Sequence, residues 1–172
     1  MKEAHWFERE FDFNLPIEAF PAVIERLRGT PARLDEMVNS YPVGILTKRI
    51  GEDWSIQEHV GHLSDLEELH EARLDDYEAN AQMLHAADLK NTKTYEANHN
   101  ASSPQDLLAR FRTVRMSFVR RLEDMDEAHA ARSAIHPRLQ KPMRVIDLAQ
   151  FVAEHDDHHL AAITRLSRTL EP

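Results

Sequence analysis

Apolar positions along this chain recur at three- and four-residue steps almost throughout, the period of amphipathic helices, and no alternating strand pattern or internal repeat stands out. The pattern predicts a first helix over about Ile17 to Arg28, stopped by Gly29, with Thr30-Pro31 restarting a shorter one to near Asn39. Residues 40–53, with Pro42, Gly44 and Gly51, read as a connecting loop. Trp54-Ser55-Ile56-Gln57-Glu58 then opens a second helix. Ser55 suits the N-cap, and Glu58, three residues on, can complete a capping box. That helix carries Ile56, Val60, Leu63, Leu66, Leu69 and Leu74 and is predicted to end near Met83. Residues 85–103 are polar and irregular. Ser103-Pro104 starts a third helix, a cap followed by proline at the first helical position. Its apolar residues, Leu107, Leu108, Phe111, Val114, Phe118, Leu122 and Met125, form one core-facing stripe. A loop with His136-Pro137 and Pro142 leads to a fourth helix, about Val145 to Ser167. Four amphipathic helices in one chain of this length predict an all-α fold, a four-helix bundle spanning residues 1–172 as a single domain.

Composition narrows the chemistry. At 172 residues one core suffices, since a domain near 150 residues buries roughly 70% of its unfolded surface. Thirty acidic against 21 basic residues leave a net charge of −9, which argues against nucleic-acid and anionic-membrane partners. No apolar run approaches the roughly 18 residues of a membrane span. The charged opening, Met1 to Glu10, lacks the apolar core of a signal peptide, so a cytoplasmic location is expected. The absence of cysteine excludes disulfides, thiolate metal sites and a cysteine nucleophile. The four glycines are too scattered to cradle phosphate.

Histidine is the unusual component, 11 residues in all, three of them in His155-Asp156-Asp157-His158-His159. Leu148, Val152, His155, His159, Ala162 and Leu166 follow at steps of four, three, four, three and four, so both histidines fall on the apolar stripe of the fourth helix. They are about 40° apart around the axis and one turn apart along it, a spacing from which two imidazoles can grip one metal ion. Two polar residues at a loosely packed bundle end would give the same spacing. His158 lies off the line, as a flanking or supporting residue, and Glu154, Asp156 or Asp157 could orient an imidazole. A third ligand would come from His59, His62 or His70 on the second helix. His59 is placed to pack on Trp54, the residue before the cap, whereas His62 shares the broad face of Leu66 and Leu69. His70, His5, His85, His99 and His129 read as surface residues, and His136 as a residue able to reach the mouth of a site.

Trp54-Ser55-x-x-Glu58-x-x-x-His62-Leu63 in one helix and Glu154-His155-x-x-x-His159-Leu160 in the last resemble the DinB/YfiT-like family of metalloenzymes. Tyr95-x-x-Asn98, Ser103-x-x-Asp106-Leu107-Leu108, Arg112-x-x-Arg115 and His136-Pro137 fit the same layout, so the resemblance runs from about Ile17 to Leu166. It implies an up-down-down-up bundle, often a homodimer, with His62, His155 and His159 binding a divalent metal. Zinc or nickel is expected first, and iron or manganese also accept imidazole. Relatives so implied include metal-dependent hydrolases and S-transferases that use a low-molecular-weight thiol with a small-molecule substrate. Glu58, Asp65 and Asp157 are the general-base candidates by nearness in sequence. The reading of a different class is a non-catalytic, stress-associated metal binder or dimeric interaction module.

Overall fold

A computed structural model describes residues 6–170. Six α-helices and one short hairpin follow in order: α1 Phe20–Ser40, α2 Ile56–Glu78, α3 Thr92–Glu96, α4 Pro104–Glu123, α5 Glu127–Ala130, β1 Ser133–His136, β2 Lys141–Arg144 and α6 Val145–Leu170. The long helices α1, α2, α4 and α6 form the bundle, in which α4 and α6 each pack on both α1 and α2. Their relative directions can be read from side-chain pairs. Asp65–Arg110, Glu67–Arg115 and Asp75–Arg121 advance together, so α2 and α4 are parallel. His62 meets His155 while His59 meets His159, so α2 and α6 are antiparallel. Arg26–Glu154 and Arg33–Asp157 make α1 and α6 parallel, completing the up-down-down-up order.

Local chemistry explains most of the boundaries. The Ser55 hydroxyl accepts from the Glu58 N–H and the Glu58 carboxylate from the Ser55 N–H, the capping box expected for α2. Ser103 caps α4, with Pro104 as its first residue. α2 stops at Glu78, short of Met83. Asn80 is left-handed at φ 53°, and the N–H groups of Ala81 and Asn80 return to the carbonyls of Asp76 and Tyr77, the 6→1 and 5→2 bonds of a Schellman cap.

Two further expectations need correction. Gly29 does not stop the first helix, because α1 runs unbroken through Gly29, Thr30 and Pro31. The Thr30 hydroxyl donates to Asp156 at 2.8 Å and Pro31 is buried, so tertiary contacts outweigh a weak local propensity. The segment before the last helix is a hairpin rather than a plain loop, with Ala134 opposite Met143 and Ile135 opposite Pro142. Four-residue strands carrying a proline leave too little alternation to see in sequence.

The core is divided. One apolar cluster joins Leu27, Leu74, Phe118, Ile146 and Val152 with Met143 of the hairpin, and the other joins Leu34, Ile56, Leu63, Phe111 and Ile163. Between them the four bundle helices contribute one polar layer. Arg115 bridges Glu67 and Asp156, and Thr30 donates to Asp156, all fully or almost fully buried. This layer fixes Asp156, and with it the rotation of α6 that turns its neighbour His155 inward. Among the described residues, no helix is long and apolar enough to cross a membrane.

Candidate metal centre

α2 and α6 cross with His62 facing His155 and His159, ring centroids 5.5 and 4.9 Å apart. One ring nitrogen from each of the three lies within 4.8 Å of the others, and all three residues are buried. His155 Nε2 and His159 Nε2 are 3.1 Å apart. Two nitrogens held about 2.0–2.1 Å from one ion are separated by about that distance, so the pair fits a shared cation. Burial, reinforced by neighbouring imidazoles, lowers the pKa of His62 to about 3 and holds His155 and His159 well below the usual histidine range. The three rings are therefore neutral and keep lone pairs available at neutral pH.

Neighbouring residues orient these rings. His62 Nδ1 lies 3.0 Å from Thr94 Oγ1, which is 3.2 Å from Asp65 Oδ2. A carboxylate only accepts, so Thr94 donates to Asp65 and accepts from His62 Nδ1–H. That leaves the lone pair of His62 on Nε2. Asp65 is held in turn by His99 Nε2 at 2.7 Å and Arg110 at 3.2 Å. His59 Nδ1 is 2.8 Å from His159 Nδ1, so a His159 with its Nε2 lone pair turned inward donates from Nδ1 to His59. Both contacts are the outer hydrogen bonds that ligating histidines characteristically make. His155 Nδ1 is buried without a hydrogen-bond partner.

Aromatic rings wall the centre. Trp54 packs on His59 at 5.6 Å, as its place before the cap predicts, and also covers His62 at 4.5 Å and stacks along His159. Trp6 lies edge-on to His155 at 4.8 Å. The centre lies on the wall of a cavity of 750 Å³, lined beside it by Trp6, Trp54 and Tyr95, toward Arg73 by Leu66, Leu69 and Phe151, and past His159 by Ala162 and Leu166.

The remaining histidines divide. His85 is exposed, as expected, His129 is half-buried on the outer surface beside Asp126, and His158 is half-buried on the cavity wall. His70 and His99 are buried, not on the surface: His70 lines the cavity, and His99 occupies the space left by Gly61 to reach Asp65. His136 is buried on β1 and does line the cavity. His5 lies outside the described residues. None of the three general-base candidates lines the cavity. Glu58 is bound by Arg49 and Ser55, Asp65 by His99, Thr94 and Arg110, and Asp157 by Arg26 and Arg33. Thr94 and Trp6 carried no sequence signal. Each acts through a contact between segments that are distant in the chain.

Comparison with known proteins agrees with this architecture. The sequence profile of the DinB superfamily matches residues 26–163. No sequence among the curated proteins matches. Among solved structures, the fold matches YfiT from Bacillus subtilis with a TM-score of 0.80 at 21% identity, over 95% of this chain and 94% of that one. YfiT is described as a probable metal-dependent hydrolase with an unusual four-helix bundle topology. With the profile covering most of the sequence and the bundle matching throughout, this chain belongs to the DinB superfamily.

Proposed function

We propose that the chain is a metal-dependent hydrolase of small molecules, with His62, His155 and His159 holding a divalent ion, zinc or nickel foremost. The observation that carries this reading is the trio of neutral, buried imidazoles with ring nitrogens within 4.8 Å of one another on the wall of a 750 Å³ cavity. The description of YfiT as a probable metal-dependent hydrolase supports it. When bound, such an ion supplies Lewis acidity, polarising a substrate carbonyl or phosphoryl group and activating water at neutral pH.

The chain's own residues do the positioning. Thr94 and Asp65 keep the His62 hydrogen on Nδ1, His59 accepts from His159, and Trp54 and Trp6 limit the water that reaches the three rings. The S-transferase reading implied by the resemblance uses the same three imidazoles and differs in taking its sulfur nucleophile from a low-molecular-weight thiol. A panel of simple esters and amides, run with and without thiols plus electrophiles, separates the readings. Metal-dependent hydrolysis that disappears on chelation and in His62→Ala is the expected result. Turnover only with a thiol would replace hydrolase by S-transferase, and no metal-dependent turnover would leave a non-catalytic metal binder.

A further inference from the structure

Beyond the three imidazoles, the same cavity holds two arginines that form no ion pair among the described residues. On α2, His62, Leu66, Leu69 and Arg73 recur at steps of four, three and four, and all line the cavity. Arg73 thus lies about 16 Å along the helix axis from His62. It is 2% exposed, and its Nε donates to the His85 carbonyl at 3.0 Å. Among the described residues no carboxylate comes within ion-pair distance of it. Asp76, which it feels at longer range, is occupied by the N–H and Nδ1 of His85.

Two further groups share this end. Arg138 contacts the Phe7 ring at 5.3 Å, and its Nη2 is buried with no hydrogen-bond partner. His136 Nδ1 accepts the Leu139 N–H at 3.2 Å, so the ring hydrogen sits on Nε2, which is buried and also without a partner. His136 packs on Phe151 at 5.4 Å, one turn of α6 before His155. Burial, and to a lesser degree the Arg138 guanidinium, lowers Arg73 to about 10 against the pull of Tyr77 and Asp76, and burial, then Arg73 and Arg138, lowers His136 to about 4. The other interior arginine, Arg115, is fully paired. Buried donors left open on a cavity wall mark a place where a ligand completes the hydrogen bonding.

We propose that Arg73, Arg138 and His136 form an oxyanion subsite, which holds a carboxylate or phosphate group of the substrate at the end of the cavity away from the metal centre. The guanidinium fork matches either group, and His136 Nε2–H adds a neutral donor. Leu66, Leu69 and Phe151 line the span between, so the substrate class is an amphiphile with an apolar body, an anionic head and a scissile bond toward the imidazoles. That a substrate fills the cavity rests on the hydrolase reading. The subsite itself does not.

Calorimetric titration of the full chain with inorganic phosphate and with 4-phenylbutyrate, before and after chelation, tests this. Saturable binding of at least one probe is expected, and the one that binds tells phosphate from carboxylate. Arg138→Gln should weaken it roughly ten-fold or more, the loss of a charge-assisted hydrogen bond. His159→Ala, two turns of α6 beyond the Phe151 that touches His136, should leave it within about two-fold. Arg138 is half-exposed and its contact with Phe7 is peripheral, so that variant retains the fold, and Arg73→Gln provides a second. Absence of binding by either probe would overturn the proposal, as would full affinity in both arginine variants or binding lost on chelation and in His159→Ala. Binding by a protein that takes up no metal would leave the subsite standing and remove the hydrolase reading.

Discussion

Thr94 accepts the Nδ1 hydrogen of His62 across 3.0 Å, joining α3 to the candidate metal centre on α2. The relation matters because Thr94 passes its own hydrogen to Asp65, which leaves one tautomer open to His62. Thr94→Val keeps the shape and removes the acceptor. It should lower metal affinity by roughly 10–100-fold while the protein remains helical. Competition against a chelator measures this, and Thr94→Ser should restore most of the affinity. Equal affinity in the Val variant would dismiss the relay.

Two glycines predict opposite shifts in stability. A Cβ at Gly29, inside α1, meets nothing within 4 Å, so Gly29→Ala should stabilise by about 0.5–1 kcal/mol through helix propensity. A Cβ at Gly61 would lie 2.2 Å from the His99 ring, so Gly61→Ala must displace a buried residue tied to Asp65. That overpacking should cost about 1–3 kcal/mol. Thermal denaturation of the two variants should move in opposite directions.

Arg115 holds two carboxylates inside the bundle, Glu67 and Asp156. Burial pushes Glu67 up to about 7 even with that guanidinium beside it. Arg115→Met removes the compensating charge and should destabilise by about 3–5 kcal/mol, read from urea unfolding. A loss below about 1 kcal/mol, the size of a surface pair, would mean the layer is not a structural ion network.

His136 predicts a pH dependence. Burial lowers it from the usual 6.5 to about 4, so between these values the unfolded chain binds a proton that the folded chain does not. Its contribution is present above pH 6.5 and is lost as pH falls toward 4. Glu67, raised rather than lowered, has the opposite sign: its contribution is fully present below about 4.5 and declines as pH rises through 7. Comparing wild type with His136→Gln isolates the histidine. The stability difference should be flat above pH 7 and should shift against wild type from pH 6.5 to 4. A difference independent of pH would contradict the burial argument.

The sequence made the bundle readable because three of its long helices announce themselves by caps or by a single apolar stripe, as Ser103-Pro104 and the Leu148-to-Leu166 series do. His155 and His159 were readable for the same reason, lying on that stripe. α2 was harder. It is buried on most of its circumference by α4, α6, α3 and the cavity, so His70 and Glu67 lie inside beside Leu63 and Leu74. A helix covered all round carries no stripe from which to tell a buried histidine from a surface one. The hairpin, Thr94 and Trp6 depend on contacts between distant segments, and local pattern does not encode those.

Metal content, measured by plasma mass spectrometry on untagged protein beside His62→Ala, His155→Ala and His159→Ala, tests the three-histidine centre most directly. About one divalent ion per chain is expected in the wild type, lost in each variant while the helical circular dichroism persists. A wild type that takes up no zinc, nickel, iron or manganese on reconstitution, or variants that keep full occupancy, would contradict it.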